Sequence, residues 1–177
     1  MINSSNLIRM FGLFFIATIV QIVILNNLSI VSFVNPQIYL LFLLSMPFGV
    51  GTIPLMLYAF LTGIVIDVFC DTPGMHAASC VLIAYLRRFV LNILSYREPY
   101  KDDVMPSVRV HGWTWYVKYI SILVAIHHFV LFYIEQFDTL FLWPTLLRIV
   151  LSIISTIILL LIVQYILPTN NDSGGYA

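Results

Sequence analysis

The chain has 177 residues with no net formal charge, and 61% of it is hydrophobic against 9% charged. Soluble domains carry about 25% charged residues, so this composition, with a mean hydropathy of +1.01, excludes a soluble globular fold. Zero net charge also leaves no global basic field that would attract nucleic acid.

A helix needs about 20 apolar residues to cross the hydrocarbon core, and six stretches in chain order are read as crossings. The first, 7–25, stops at Asn26-Asn27. Only Arg9 precedes its apolar run and no small-x-small site follows it, so a retained helix is expected rather than a cleaved signal peptide. The apolar stretch 28–34 is too short to span and reads as an interfacial connector. Asn35-Pro36 has the form of an N-cap with proline at the first helical position. It opens a short second helix, 36–48, that Gly49-Val50-Gly51 breaks, and Pro54 opens the third, 54–69. Two helices in so short a stretch are expected to be short or tilted, or the second partly re-entrant. The turn Asp71-Thr72-Pro73-Gly74 leads to the fourth helix, 74–94, whose Arg87 and Arg88 are expected to snorkel to the headgroups. A polar segment, 97–112, precedes the fifth helix, 113–135, which Trp113, Trp115 and Tyr116 anchor at the interface. Past Asp138 the sixth runs 142–167, and a polar tail occupies 169–177. The fold class is an all-α integral membrane protein, residues 1–168 forming one polytopic domain.

Orientation follows from lysine and arginine. Six crossings put Arg9, Arg87, Arg88, Arg97, Lys101, Arg109 and Lys118 on one side and only Arg148 on the other, seven of the eight basic residues. The positive-inside rule then makes the termini and the 97–112 loop cytoplasmic. The opposite face carries Asp71, Glu135 and Asp138, with Asp67 just beneath it.

A carboxylate within a membrane helix costs roughly 3 kcal/mol on insertion scales, which makes Asp67 the first candidate for a special role. Ala59, Gly63 and Asp67 recur every four residues and share a face of the third helix; Ala77, Cys80 and Ala84 form a matching face on the fourth. Small residues allow close helix approach, so these two faces are expected to pack. Polar stripes mark other helices: Thr18 and Gln21 on the first, Ser121, Ala125, His128 and Glu135 on the fifth, and Arg148, Ser152 and Ser155 or Thr156 on the sixth. Arg148 lies at a depth similar to Asp67, and a guanidinium fits a carboxylate bidentately. An Asp67–Arg148 ion pair is expected, with Glu135 as the competing partner. His127 and His128 point about 100° apart and cannot share a metal, so buried, hydrogen-bonded imidazoles are the expectation. His76 is placed to cap the fourth helix, and Cys70 and Cys80 read as small core residues. A disulfide between them would require both at one outer rim. No cofactor or metal motif is present, and no alcohol-phosphatidyltransferase, metalloprotease, rhomboid, P-loop or aspartyl-dyad pattern occurs, which argues against an enzyme.

Three stretches carry a resemblance: Gly63-Ile-Val-Ile-Asp67-Val-Phe69, Pro73-Gly74-Met-His76 and Ala84-Tyr-Leu-Arg-Arg88. Together they resemble the bacterial rod shape-determining protein family MreD, in which a glycine-x-x-x-aspartate ends the third helix, a glycine turn follows, and the fourth helix closes on Tyr-Leu and basic residues. Asn35-Pro36 is similar to the start of the family's second helix, from which Gln37 and Ile38 depart. The resemblance spans essentially the whole chain and attaches family importance to Gly63, Asp67 and Gly74 only. It implies a non-enzymatic inner-membrane subunit of the cell-wall elongation (Rod) machinery. The implied partners are the bitopic protein MreC and, through the complex, the filament protein MreB, the glycosyltransferase RodA and its partner transpeptidase. It also implies a fold similar to the substrate-binding subunits of energy-coupling-factor transporters. The basic loop is expected to meet anionic membrane lipids or a filament protein. The rival expectation is a solute-binding subunit of a vitamin-type transporter; a membrane-embedded lipid enzyme using Asp67 with His76 or His128 is the least favoured.

Overall fold

The computed structural model describes residues 4–27, 34–95, 100–136 and 142–166. The expectations for 28–33, Arg97, Asp138 and the tail 169–177 lie outside the described residues. The elements are α1 (Ser4–Ile19), α2 (Leu40–Leu44), α3 (Thr52–Cys70), α4 (Met75–Leu94), α5 (Val108–His111), α6 (Trp113–Glu135) and α7 (Leu142–Ile166), with no strand among the described residues. A π-helical turn, Val20–Ile24, and a 3-10 turn, Leu25–Asn27, extend α1.

Among the described residues five helices are long and apolar enough to cross a membrane: α1 with its extension, α3, α4, α6 and α7. They bury polar side chains together with an apolar core and turn many large apolar side chains outward. Thr62, Ser79, His127, His128, Ser152 and Thr156 are wholly buried, while Ile16, Leu57, Val68, Ile93, Tyr133 and Ile158 lie on the outside. Such a surface suits hydrocarbon and is compatible with a multi-pass membrane protein.

The expected second helix, 36–48, is corrected. Only Leu40–Leu44 is helical there, and all five residues are buried. At 1.5 Å per residue this element is about 8 Å long, far short of a bilayer. Pro36 does not begin a helix, because the backbone around it bonds to side chains of other elements. Asn35 N donates to Ser152 Oγ (3.0 Å), Gln37 N to Thr156 Oγ1 (3.0 Å) and Ile38 N to Gln21 Oε1 (2.8 Å). At the far end Phe48 N and Gly49 N donate to Val104 O and Asp102 O. The stretch 35–49 thus threads the bundle from the end holding Gln21, His76 and Arg148 to the end holding Arg87, Tyr100 and Asp102. The remaining boundaries need smaller changes. α3 starts two residues before Pro54, α4 starts after Gly74, and the loop contains the one-turn α5.

α3 and α4 make the most extensive pairing among the described elements. The expected faces meet: Ala59, Gly63 and Asp67 on one side, Ala77, Cys80 and Ala84 on the other, all buried. Gly63 is the point of closest approach. A Cβ there would stand 2.2 Å from Ala77 Cα and 2.5 Å from Ala77 N, which are backbone atoms with no freedom to swing aside. Gly63→Ala should therefore lower stability by about 1–3 kcal/mol through overpacking. Gly12→Ala, where an added Cβ meets nothing within 4 Å, should be neutral or slightly stabilising. Thermal unfolding of the two variants in detergent checks the contrast.

Candidate functional site

Gly63 brings the start of α4 within reach of the next turn of α3, and Asp67 sits on that turn. Its Oδ1 accepts from Thr72 Oγ1 (2.5 Å), His76 N (3.0 Å) and His76 Nδ1 (3.0 Å), and its Oδ2 accepts from Ala77 N (2.9 Å). The first N–H groups of a helix have no partner within it. Gly74, which caps α4, has no side chain to serve them, and its φ of 83° is the left-handed conformation that turns the chain. The carboxylate of α3 therefore caps α4, where the positive end of the helix dipole also favours an anion. The capping role expected of His76 belongs to Asp67, and the buried His76 ring helps hold the carboxylate.

The Asp67–Arg148 pair is corrected. Arg148 Nη1 binds Glu135 Oε1 at 3.1 Å, the competing partner. In the amide orientation that its bonding favours, Asn35 accepts from Arg148 Nη2 at 2.7 Å, and the guanidinium lies 4.5 Å from the centre of the Phe132 ring. The reason is local supply. Asp67 is saturated by α4, whereas Arg148, in the first turns of α7, meets the last residue of α6 across their connection. Arg148 thus joins the ends of α6 and α7 to the start of the threaded stretch.

His127 and His128 are both buried, on different partners. His128 Nδ1 lies 2.9 Å from Val124 O and Nε2 lies 3.1 Å from Thr156 Oγ1. The proton is on Nδ1, because a carbonyl only accepts, so Thr156 donates to Nε2 while accepting from Gln37 N. His127 Nε2 meets Tyr39 OH at 3.1 Å. Ser121 and Ala125 lie only half-buried and Glu135 is exposed; the inward face of α6 runs through Tyr119, Leu123, His127 and Leu131 instead. Cys70 and Cys80 are free thiols, Cys70 accepting from Asn26. No group of three or more His, Cys, Asp or Glu among the described residues could hold a metal.

Arg87 is the residue that the sequence reading misplaced. It does not snorkel: it is 3% exposed, and its Nε donates to Tyr119 OH at 2.8 Å while Nη2 donates to Met46 O. Tyr119 OH in turn donates to Leu44 O at 3.0 Å. The cation thus serves carbonyls at and just past the end of α2, the end of a helix that favours positive charge. A signal was available, since Ala77, Cys80, Ala84 and Arg87 follow the three-and-four spacing of one helix face. Arg88 does lie outside. Trp115 and Tyr116 also turn inward rather than anchoring at the interface. Trp115 stacks on His111 and Tyr119 and donates to Tyr100 OH, and Tyr116 is buried; Trp113 alone of the three is exposed. In this cluster burial holds His111 below the usual imidazole value.

Two rankings follow. Asp67→Asn, which weakens four charge-assisted bonds, should cost about 2–4 kcal/mol of stability, and Glu135→Gln less than about 1 kcal/mol because that pair is partly exposed. Arg87→Met should destabilise by more than about 2 kcal/mol, with Arg88→Met near neutral. Melting temperatures of the four variants in one detergent give both comparisons.

Comparison with family models, with curated proteins and with solved structures returned no match. The functional reading rests on the residues and their geometry.

Proposed function

We propose that the chain is a non-catalytic membrane scaffold of the MreD kind, an inner-membrane subunit that binds an MreC-like bitopic protein and helps set rod shape and lateral wall synthesis. The observation that carries the reading is how the interior polar groups are used. Asp67 is spent on the N-terminus of α4, Arg87 on the carbonyls after α2, and Gln21, Ser152 and Thr156 on the backbone of the threaded stretch. Groups bound in this way build a platform; they are not held in reserve for a reaction. Counting the stretch 35–49 as a sixth crossing supports the resemblance in topology and in the energy-coupling-factor-like fold it implies. Arg9, Arg88, Lys101, Arg109 and Lys118 then gather at the end opposite Arg148, which supports cytoplasmic termini.

One observation favours a second reading. A cavity of about 620 Å³ at the Arg148 end has the size of a small-ligand site, as a solute-binding transport subunit would need. Cross-linking the tagged chain in its native membrane, followed by mass spectrometry, separates the two. Recovery of a bitopic protein together with wall synthases is the expected result. Recovery of an ATPase pair with its membrane coupling protein would replace the scaffold with the transporter.

A further inference from the structure

A second cavity, of about 650 Å³, lies at the other end of the bundle, between the start of α3 and the end of α4. Arg87 is part of its wall and is itself 3% exposed. Two of the three guanidinium nitrogens are spent, Nε on Tyr119 OH and Nη2 on Met46 O, and both partners are neutral. Nη1 has no acceptor among the described residues, but it is not sealed from solvent as Arg148 Nε is. It is the part of the buried cation that the cavity reaches. Arg88 lines the same cavity from the exposed side of α4. Neither arginine has a carboxylate partner among the described residues. The backbone supplies further donors. Gly51 caps α3 without a side-chain bond. The first bond back to it comes from Leu55 N, so Thr52 N and Ile53 N have no acceptor among the described residues. Gly51 and Thr52 are both in the cavity wall, and the positive end of the α3 dipole points there. The opposing charge is Asp102, which is exposed and pairs with neither arginine. Two arginines against one aspartate leave the described wall with one positive charge in excess.

We propose that this cavity binds an anionic phosphate group, carried either by a phospholipid headgroup of net negative charge or by a small soluble phosphomonoester. Phosphate oxygens are acceptors, and they match Arg87 Nη1, the Arg88 guanidinium and the Thr52 N–H. The ligand gives Arg87 the negative partner that the described residues do not provide, in a place where a charge met only by neutral groups is costly. Val50, Leu55 and Leu91 offer apolar wall to the carbon skeleton. A neutral analogue of the same skeleton leaves the arginines unmatched, so the site discriminates against it. The proposal goes beyond the scaffold reading and holds equally for a transport subunit, because binding is read on the purified chain alone.

The test places the full chain in nanodiscs in two arms. In pure phosphatidylcholine discs, saturation binding compares glycerol 1-phosphate with glycerol, with empty discs as the blank. In discs of equal phosphatidylglycerol and phosphatidylcholine, native mass spectrometry counts which lipid stays bound. The expected result is a preference of about fivefold or more for the anionic form in at least one arm, lost in both Arg88→Gln and Thr52→Pro and kept in Lys101→Gln. Lys101 is exposed and outside the cavity wall, so its substitution removes the same charge as Arg88→Gln from the same end of the protein. Thr52→Pro removes a donor without changing the charge. Proline suits the first helical position, and Gly51, with φ −58° and ψ 156°, already has the extended conformation that precedes a proline. A melting curve checks that each variant is folded. A preference in the first arm only assigns a soluble phosphate, in the second only a lipid headgroup, and in both the phosphate group from either source. No preference in either arm, a preference that survives Arg88→Gln or Thr52→Pro, or one lost equally in Lys101→Gln overturns the proposal.

Discussion

A charge inside an apolar bundle must be met by something within bonding distance, and in this protein the backbone meets it. Asp67 is held by the N–H groups that begin α4, and Arg87 is held by carbonyls at the end of α2, one of them through Tyr119. Opposite charges buried together would pay desolvation twice; a helix end offers a fixed, already oriented dipole instead. The arrangement requires close approach. Asp67 reaches α4 because Gly63 lets the Ala77 backbone sit where a side chain would otherwise be.

The same logic governs the polar stripes. Non-helical backbone survives at membrane depth only where protein satisfies its hydrogen bonds. The stretch 35–38 has three N–H groups bound by Ser152, Thr156 and Gln21. Gln21 lies in the π-helical turn of α1, a local widening of the kind that re-aims side chains, and its amide also binds Pro36 O. His128 continues the chain by accepting from Thr156 and donating to Val124 O. The stripes of α1 and α7 are therefore the solvent of a buried, unwound segment.

How much of this was legible depended on whether local pattern or spatial proximity decided the outcome. The bounds of α6 could be read directly, since a long apolar run begins after Gly112 and ends at Glu135. The α3–α4 contact could also be read, because small residues at helical spacing specify a face whatever the partner. The threaded stretch could not: an apolar run of about a dozen residues has one composition whether it is helical or extended, and only the remote hydroxyls of Ser152 and Thr156 decide. The Arg148 partner was undecidable for the same reason, as depth along a helix does not tell which neighbour lies across. Arg87 was legible and missed, since the arginine pair drew attention to the interface while its spacing from Ala84 placed the first of the two inside.

The bonds that hold the threaded stretch also constrain how the protein is made. Asn35 and Gln37 are separated from their hydroxyl partners by 117 and 119 residues. When the first half of the chain leaves the ribosome, Gln21 is already there for Ile38 N and Pro36 O, but α7 does not yet exist and Asn35 N and Gln37 N lack the hydroxyls that receive them. Unlike α3 or α4, this segment does not satisfy its own backbone and depends on a helix far along the chain for two of its N–H groups. The interior place of an early segment thus requires the last described helix, which delivers two of the groups that hold it.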